Sequence, residues 1–251
     1  VHADAVAKAA AMQREAIATD RFKLTAFSRI TKPDQPLTVY IEGDGLAWIS
    51  RYQPSRDPTP HTATGLELAA LDPGPNVVYL ARPCQFTATA SNPSCGVPYW
   101  TGKRFAPEVV QSLNQALDSI AARVPGQQMN LVGYSGGAAL AVLVAAQRSD
   151  IASLRTVAGN LDDEYVNRLH GVSAMPESDN AIDVATRVAA IPQIHFSGGD
   201  DTVVPPDVAQ RFIAAEGGHC AQARSIAGVG HARGWLEAWP RLVQSVPSCE
   251  R

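Results

Sequence analysis

The chain predicts an α/β fold: a mostly parallel central sheet with helices on both faces and a minimal cap. Three observations carry this reading. Short apolar, β-branched runs alternate with helical patterns along the chain. One such run, ending in Leu131-Val132, passes through Gly133-Tyr134-Ser135-Gly136-Gly137 directly into an Ala-rich helical stretch. Asp44, Asp201 and His231, like Ser135, each stand just past a predicted strand, and a parallel sheet gathers the carboxyl ends of its strands on one edge.

The elements follow in order. Residues 1–20 are Ala-rich with scattered charge and read as an N-terminal helix or leader; residues 21–251 read as a single domain. Phe22 to Ile30 alternates well enough for a first strand, and Lys32-Pro33-Asp34-Gln35-Pro36 is a turn. Leu37 to Ile41 is a second, buried strand that runs into Glu42-Gly43-Asp44-Gly45. The irregular stretch from Leu46 to Pro60 holds Trp48 and Tyr52, and long loops in compact domains tend to be functional. Thr62 to Leu71 reads as a helix and Asn76 to Ala81 as a third strand. Pro107 to Val124 has apolar residues at helical spacing, and Pro125-Gly126 ends it. After the Ser135 turn and its helix, Leu154 to Ala158 is a strand, and Gly159 to Ser178 is polar and irregular. Ala181 to Ala190 reads as a helix, Ile191 to Phe196 as a strand and Pro206 to Ala215 as a helix. Ala221 to Ala227 is the last strand, and Gly234 to Val246 the last helix, with Pro240 inside it.

Composition narrows the class. At 251 residues, 45% hydrophobic and 18% charged, the chain can bury a sizeable core. A net charge of −3 without a Lys/Arg cluster excludes the usual footprint of nucleic-acid binding. No apolar run reaches the roughly 18 residues of a membrane span. Cys84 and Cys95 flank a polar loop, and Cys220 and Cys249 lie near the C-terminus. They read as two disulfides and hence an oxidising, periplasmic or secreted location. Of three possible pairings we favour Cys84–Cys95 and Cys220–Cys249; closing a loop of about a dozen residues stabilises by about 3 kcal/mol on a chain-entropy model. Neither pair has the Cys-x-x-Cys spacing of a zinc site. The chain begins at Val1, so any signal or lipid-anchor segment would lie ahead of it.

Gly-x-Ser-x-Gly between a strand and a helix has a steric reason. The serine sits on a tight turn, so the flanking positions must lack side chains that would collide. The turn lifts the Ser135 hydroxyl clear of the sheet and aims the Gly136 N–H at the same spot. A serine needs a base to take its proton as it attacks, and histidine has a suitable pKa. Of six histidines, His231 follows the last strand in a Gly-rich loop; His195 lies within a strand and reads as a core or flanking residue. A carboxylate must orient the imidazole. Asp201, before the Val-Val-Pro anchor, is the choice; Asp200 then reads as a solvated neighbour, and Asp162 as the solvated start of a helix. The oxyanion of an acyl-transfer intermediate needs two N–H donors, one from Gly136 and one from the loop after Ile41, at Asp44 or Gly45.

The order Ser, Asp, His, the Gly-Tyr-Ser-Gly-Gly turn, the glycine loop after an early strand and the late Gly-His resemble the α/β-hydrolase superfamily, over about Phe22 to Val246. The resemblance implies Ser135 as nucleophile, Asp201 as acid, His231 as base, and Gly136 and Asp44 as oxyanion donors. Many members carry His-Gly where this chain has Glu42-Gly43. An Asp side chain beside an oxyanion would repel it, so Asp44 is expected to point away, to an arginine such as Arg51 or Arg56.

The expected function is a serine hydrolase acting on a small or soluble acyl ester, with no metal or organic cofactor. The insertion before the next helix is too short and polar for an interfacial lid, which favours short-chain esters. Trp48, Tyr52, Tyr99 and Trp100 are candidates to wall the pocket. Amidase, peptidase and thioesterase chemistry uses the same residues. A binding protein of this fold that has lost activity is the other class, and the intact Ser135, Asp201 and His231 argue against it.

Overall fold

Strands covered on both faces must be apolar on both, and the Leu37–Ile41 and Asn76–Leu80 runs meet that demand almost without interruption. In a computed structural model that describes residues 2–250 they lie side by side at the middle of one eight-stranded sheet. Its strands are β1 (Gln13–Ala18), β2 (Lys23–Ile30), β3 (Leu37–Ile41), β4 (Asn76–Leu80), β5 (Met129–Tyr134), β6 (Ile151–Val157), β7 (Gln193–Gly198) and β8 (Ala221–Ile226). Their spatial order is β1-β2-β4-β3-β5-β6-β7-β8. Only β2 runs against the rest: it pairs antiparallel with β1 and β4, and all other pairs are parallel.

The helices are α1 (His2–Ala9), α2 (Thr64–Leu71), α3 (Pro107–Ala121), α4 (Gly136–Ala145), α5 (Asp163–Leu169), α6 (Asp207–Glu216) and α7 (Trp235–Leu242). They divide between the faces. Leu113 and Leu117 of α3, Val142 of α4 and Phe212 of α6 belong to one core. Ala3 of α1, Leu66 of α2 and Trp235 and Trp239 of α7 belong to the other. Every residue of α4 is buried, which its composition of Gly, Ala, Leu and Val permits.

Three expectations are corrected. The N-terminal stretch is a helix only as far as Ala9; Gln13–Ala18 is an edge strand, zipped to β2 from Gln13–Ser28 to Ala18–Lys23. Its exposed, polar sequence hid this, because an edge strand buries little. The stretch from Gly159 to Ser178 also contains α5, whose N-terminus is capped by Asp162 accepting from the Tyr165 N–H at 3.3 Å. The acidic run at Asp162 marked its start, but seven mostly polar residues show too few turns for periodicity to register its length. The Ala181–Val188 segment is 3-10 rather than α-helical.

The sulfur atoms of Cys84 and Cys95 lie 2.08 Å apart and those of Cys220 and Cys249 2.04 Å, bonding distance in both cases. No helix among the described residues is long and apolar enough to cross a membrane.

Candidate active site

β5 delivers Ser135 in a backbone conformation that L-residues avoid, with φ 51° and ψ −117°. Such strain costs on the order of 1–3 kcal/mol and persists only where neighbours enforce it. Here the Ser135 N–H donates to the Val157 carbonyl at 2.9 Å, and the Ser135 carbonyl accepts from Asn160 and Ala138 at 3.0 and 3.1 Å. The flanking glycines are steric requirements. A Cβ at Gly133 would lie 2.4 Å from Ala138 Cα, and one at Gly137 would lie 2.2 Å from the Ile41 carbonyl oxygen.

β7 and β8 bring the expected partners to the same edge. Ser135 Oγ lies 3.0 Å from His231 Nε2, and His231 Nδ1 lies 2.8 Å from Asp201 Oδ2. With the proton on Nδ1, the imidazole donates to Asp201 and accepts from the serine hydroxyl. The other Asp201 oxygen accepts from the N–H groups of Val203 and Val204 at 2.8 and 2.9 Å, so the Val-Val-Pro segment holds the carboxylate still. The His231 carbonyl accepts from Tyr134 Oη at 2.9 Å and Trp235 Nε1 at 3.0 Å, which fixes the loop that carries the ring. Asp200 lies in the open, 3.7 Å from Arg233. His195 is fully buried, bonded to Thr156 Oγ1 and Gln193 Oε1. Asp162 does start a helix, but it is buried rather than solvated and pairs with Arg211.

The loop after β3 reaches the serine from the other side. Among the described residues the backbone N–H groups of Gly136 and Asp44 make no hydrogen bond. The Asp44 side chain does bind arginine, but not Arg51 or Arg56. It pairs with Arg82 Nη1 at 2.9 Å and Arg104 Nε at 3.2 Å. Arg51 instead donates to the His170 and Gly171 carbonyls. Packing raises the Asp44 carboxyl pKa, but Arg104 and Arg82 together outweigh that and hold it below the usual range. The repulsion expected of an acid in this position is thereby cancelled.

Glu42, where many α/β-hydrolases would carry histidine, proves to be the anchor of this loop. It is buried, with Oε1 accepting from the Gly43 and Gly65 N–H groups at 2.9 and 3.0 Å and Oε2 accepting from Tyr79 Oη at 2.7 Å. Ala63, at the N-cap of α2, offers no side-chain cap, so Glu42 serves the helix terminus from a distance. Burial raises its carboxyl pKa, opposed by the Tyr79, Gly43, Gly65 and Leu66 hydrogen bonds. Sequence reasoning noticed Glu42 only as a departure from His-Gly and missed Arg82 and Arg104, for which no local signal exists.

The cleft over Ser135 is about 440 Å³, lined by Asp44, Leu46, Pro60, His61, Thr62 and Leu236 among others. The aromatic candidates do not wall it. Trp100 is buried with its Nε1 on the Ser55 carbonyl, Tyr99 packs edge-on to Phe22, and Trp48 and Tyr52 face outward.

No protein-family model matches the chain, and no curated protein matches it significantly. Solved structures do. Est1E from Butyrivibrio proteoclasticus is 15% identical over 92% of this chain and 97% of its own, with a TM-score of 0.63. A lid-free α/β serine hydrolase from Xanthomonas campestris is 15% identical over 94% and 97%, TM-score 0.58. The acylaminoacyl peptidase of Pyrococcus horikoshii is 12% identical over 92% of this chain but only 39% of its own, TM-score 0.64. The chain therefore has the α/β-hydrolase fold.

Proposed function

We propose that the chain is a serine hydrolase that cleaves small, soluble acyl esters through a covalent acyl-enzyme, in a periplasmic or extracellular setting. The observation that supports it most is the unbroken line from Ser135 Oγ through His231 to Asp201, each link within 3.0 Å. In this reading His231 Nε2 takes the hydroxyl proton as Ser135 Oγ bonds to the ester carbon. Asp201 stabilises the imidazolium that results. The carbonyl oxygen, now an oxyanion, accepts from the Gly136 and Asp44 N–H groups; losing one such donor typically costs 10²–10³-fold in kcat. His231 returns the proton to the leaving alcohol as the C–O bond breaks. A water, deprotonated by the same nitrogen, then releases the acid and restores the serine.

The likeness to a serine hydrolase without a lid supports soluble over interfacial substrates. The two cysteine pairs at bonding distance fit an oxidising compartment.

The test is mass spectrometry after incubation with a fluorophosphonate. One adduct is expected on Ser135, absent in Ser135→Ala, with short-chain esters turned over faster than long-chain ones. An unlabelled native chain with intact fold would sink the hydrolase reading; a preference for long acyl chains would sink the substrate assignment.

A further inference from the structure

The N–H of Asp44 shares a peptide group with the carbonyl of Gly43. That group is planar and trans, so the two point in opposite directions within one plane. Whatever holds the carbonyl therefore aims the N–H. Gln85 holds it: Gln85 Nε2 donates to the Gly43 carbonyl at 3.0 Å. Gln85 is 1% exposed, so water does not compete for the bond. A Cβ on Gly45, one residue past Asp44, would lie 2.8 Å from the same nitrogen, so the loop backbone is pressed against this side chain. A hydrogen bond on the carbonyl also polarises the amide and makes its N–H a stronger donor.

Gln85 is itself tied down. Its Oε1 accepts from the Arg82 N–H at 3.1 Å, and its own N–H donates to the Arg82 carbonyl at 3.2 Å. This closes a turn with the arginine that pairs with Asp44 at 2.9 Å. The residues on either side, Cys84 and Phe86, both have left-handed backbone, with φ 75° and 56°. Non-glycine residues keep such angles only where the surroundings enforce them. For Phe86 hydrogen bonds do so: its N–H donates to Thr59 Oγ1 at 2.8 Å, and its carbonyl accepts from Arg14 Nη2 at 2.7 Å. Cys84 has its sulfur at bonding distance from that of Cys95. Cys95 is anchored in turn. Its N–H donates to the Asn92 carbonyl at 2.9 Å, and the Asn92 side chain bonds the N–H and the carbonyl of Lys23 on β2 at 2.7 and 2.9 Å.

We propose that Gln85 is a positioning residue of the oxyanion site, and that the Cys84–Cys95 disulfide acts through it. The proposal rests on the serine-hydrolase reading. Gln85 does not touch the substrate. It fixes the plane of the Gly43–Asp44 peptide, so that the Asp44 N–H points to where the ester oxygen becomes negative. The disulfide holds Cys84 and so keeps the neighbouring Gln85 in line with the Gly43 carbonyl. Glu42, Gln85 and Arg82 then take three successive groups of one loop: the Gly43 N–H, the Gly43 carbonyl and the Asp44 carboxylate.

The experiment measures hydrolysis of 4-nitrophenyl acetate by the native chain, by Gln85→Met, by the chain with Cys84→Ser and Cys95→Ser, and by the chain with all three substitutions. Methionine keeps the length of glutamine and makes neither amide bond. A misaimed donor weakens binding of the transition state more than that of the ester. Gln85→Met is therefore expected to lose about 10²-fold in kcat, the scale of an ångström's misplacement, with little change in KM. Inhibition by phenylboronic acid, which forms a tetrahedral adduct on the serine, should weaken in the same proportion as kcat/KM. A residue that only supported the fold would lower the melting temperature and leave both quantities as they were. Gln85→Glu keeps the acceptor for the Arg82 N–H but sets another against the Gly43 carbonyl; it stands in if Gln85→Met does not fold, with the same loss expected. Substitutions that act through one residue do not multiply, so the triple variant should lose no more than Gln85→Met alone.

Native kcat and native boronic-acid affinity in a folded Gln85 variant, beside normal turnover by the native chain, would overturn the Gln85 assignment and leave the hydrolase reading intact. No turnover and no Ser135 adduct in the native chain would remove both. A chain without Cys84 and Cys95 that fails to fold, that keeps native kcat, or whose loss multiplies with that of Gln85→Met would overturn the link to the disulfide.

Discussion

Gly136 stands where any side chain would meet charge. A Cβ there would lie 2.0 Å from Asp44 Oδ1 and 3.0 Å from Arg82 Nη1. Gly136→Ala must therefore push the Asp44–Arg82 pair, and the loop carrying the Asp44 N–H, away from the serine. The expected result is a loss of about 10²–10³-fold in kcat with the fold retained, the scale of one oxyanion donor. Ester kinetics beside circular dichroism would read it, and full activity in the variant would contradict the assigned donors. The collision at Gly137 is of another kind, since backbone oxygens of Ile41 and Glu42 lie 2.2 and 2.4 Å from its Cβ position and cannot yield as a side chain can. At this scale the sequence was readable where chemistry is local. Ser135 announces itself through its flanking glycines, and Asp201 and His231 through the strand each one follows. Arg82 was not readable, because nothing near it in sequence points to Asp44, 38 residues away.

At the scale of elements, one carboxylate couples three of them. Glu42 stands at the end of β3, takes N–H groups of α2 and binds Tyr79 on β4. Gly65 allows this approach, because a Cβ there would lie 2.9 Å from Glu42 Oε1. Glu42→Ala leaves buried donors unpaired and frees the loop that carries the Asp44 N–H. We expect kcat to fall by about 10²-fold, the cost of misplacing a reacting group by an ångström, with a much smaller change in KM. Glu42→Gln, which keeps one acceptor, should recover part of the loss. If both variants keep the native kcat, Glu42 does not position the loop. The strands and helices themselves were largely legible, β3 to the residue, since buried strands are both short and apolar. β1 was not, because an edge strand carries a weak pattern and depends on contacts made elsewhere; of α5 only the start at Asp162 was read.

For the whole molecule, the sheet doubles as a pH sensor of stability through His195. Its ring is fully buried between β6 and β7, bonded to Thr156 and Gln193, and burial lowers its pKa from 6.5 to about 3. The unfolded chain therefore binds a proton there that the folded one refuses, at any pH between those values. Stability contributed by this residue is fully present above about pH 6.5 and is lost as pH falls toward 3. The urea midpoint should drop more steeply on acidification in the native chain than in His195→Gln. Identical slopes would mean that other groups govern acid unfolding.

From residue types and their spacing alone, the chain specified the parallel strands of its sheet, the apolar face of α3 and the order of Ser135, Asp201 and His231 along the chain. Those features follow from local sterics and hydrophobic pattern, which neighbours in sequence determine. Tertiary structure decided the rest: the arginines that neutralise Asp44, the anchoring of the loop by Glu42, and the outward turn of Trp48 and Tyr52. Each depends on which charges and surfaces meet across long loops, and no local period or motif records such meetings.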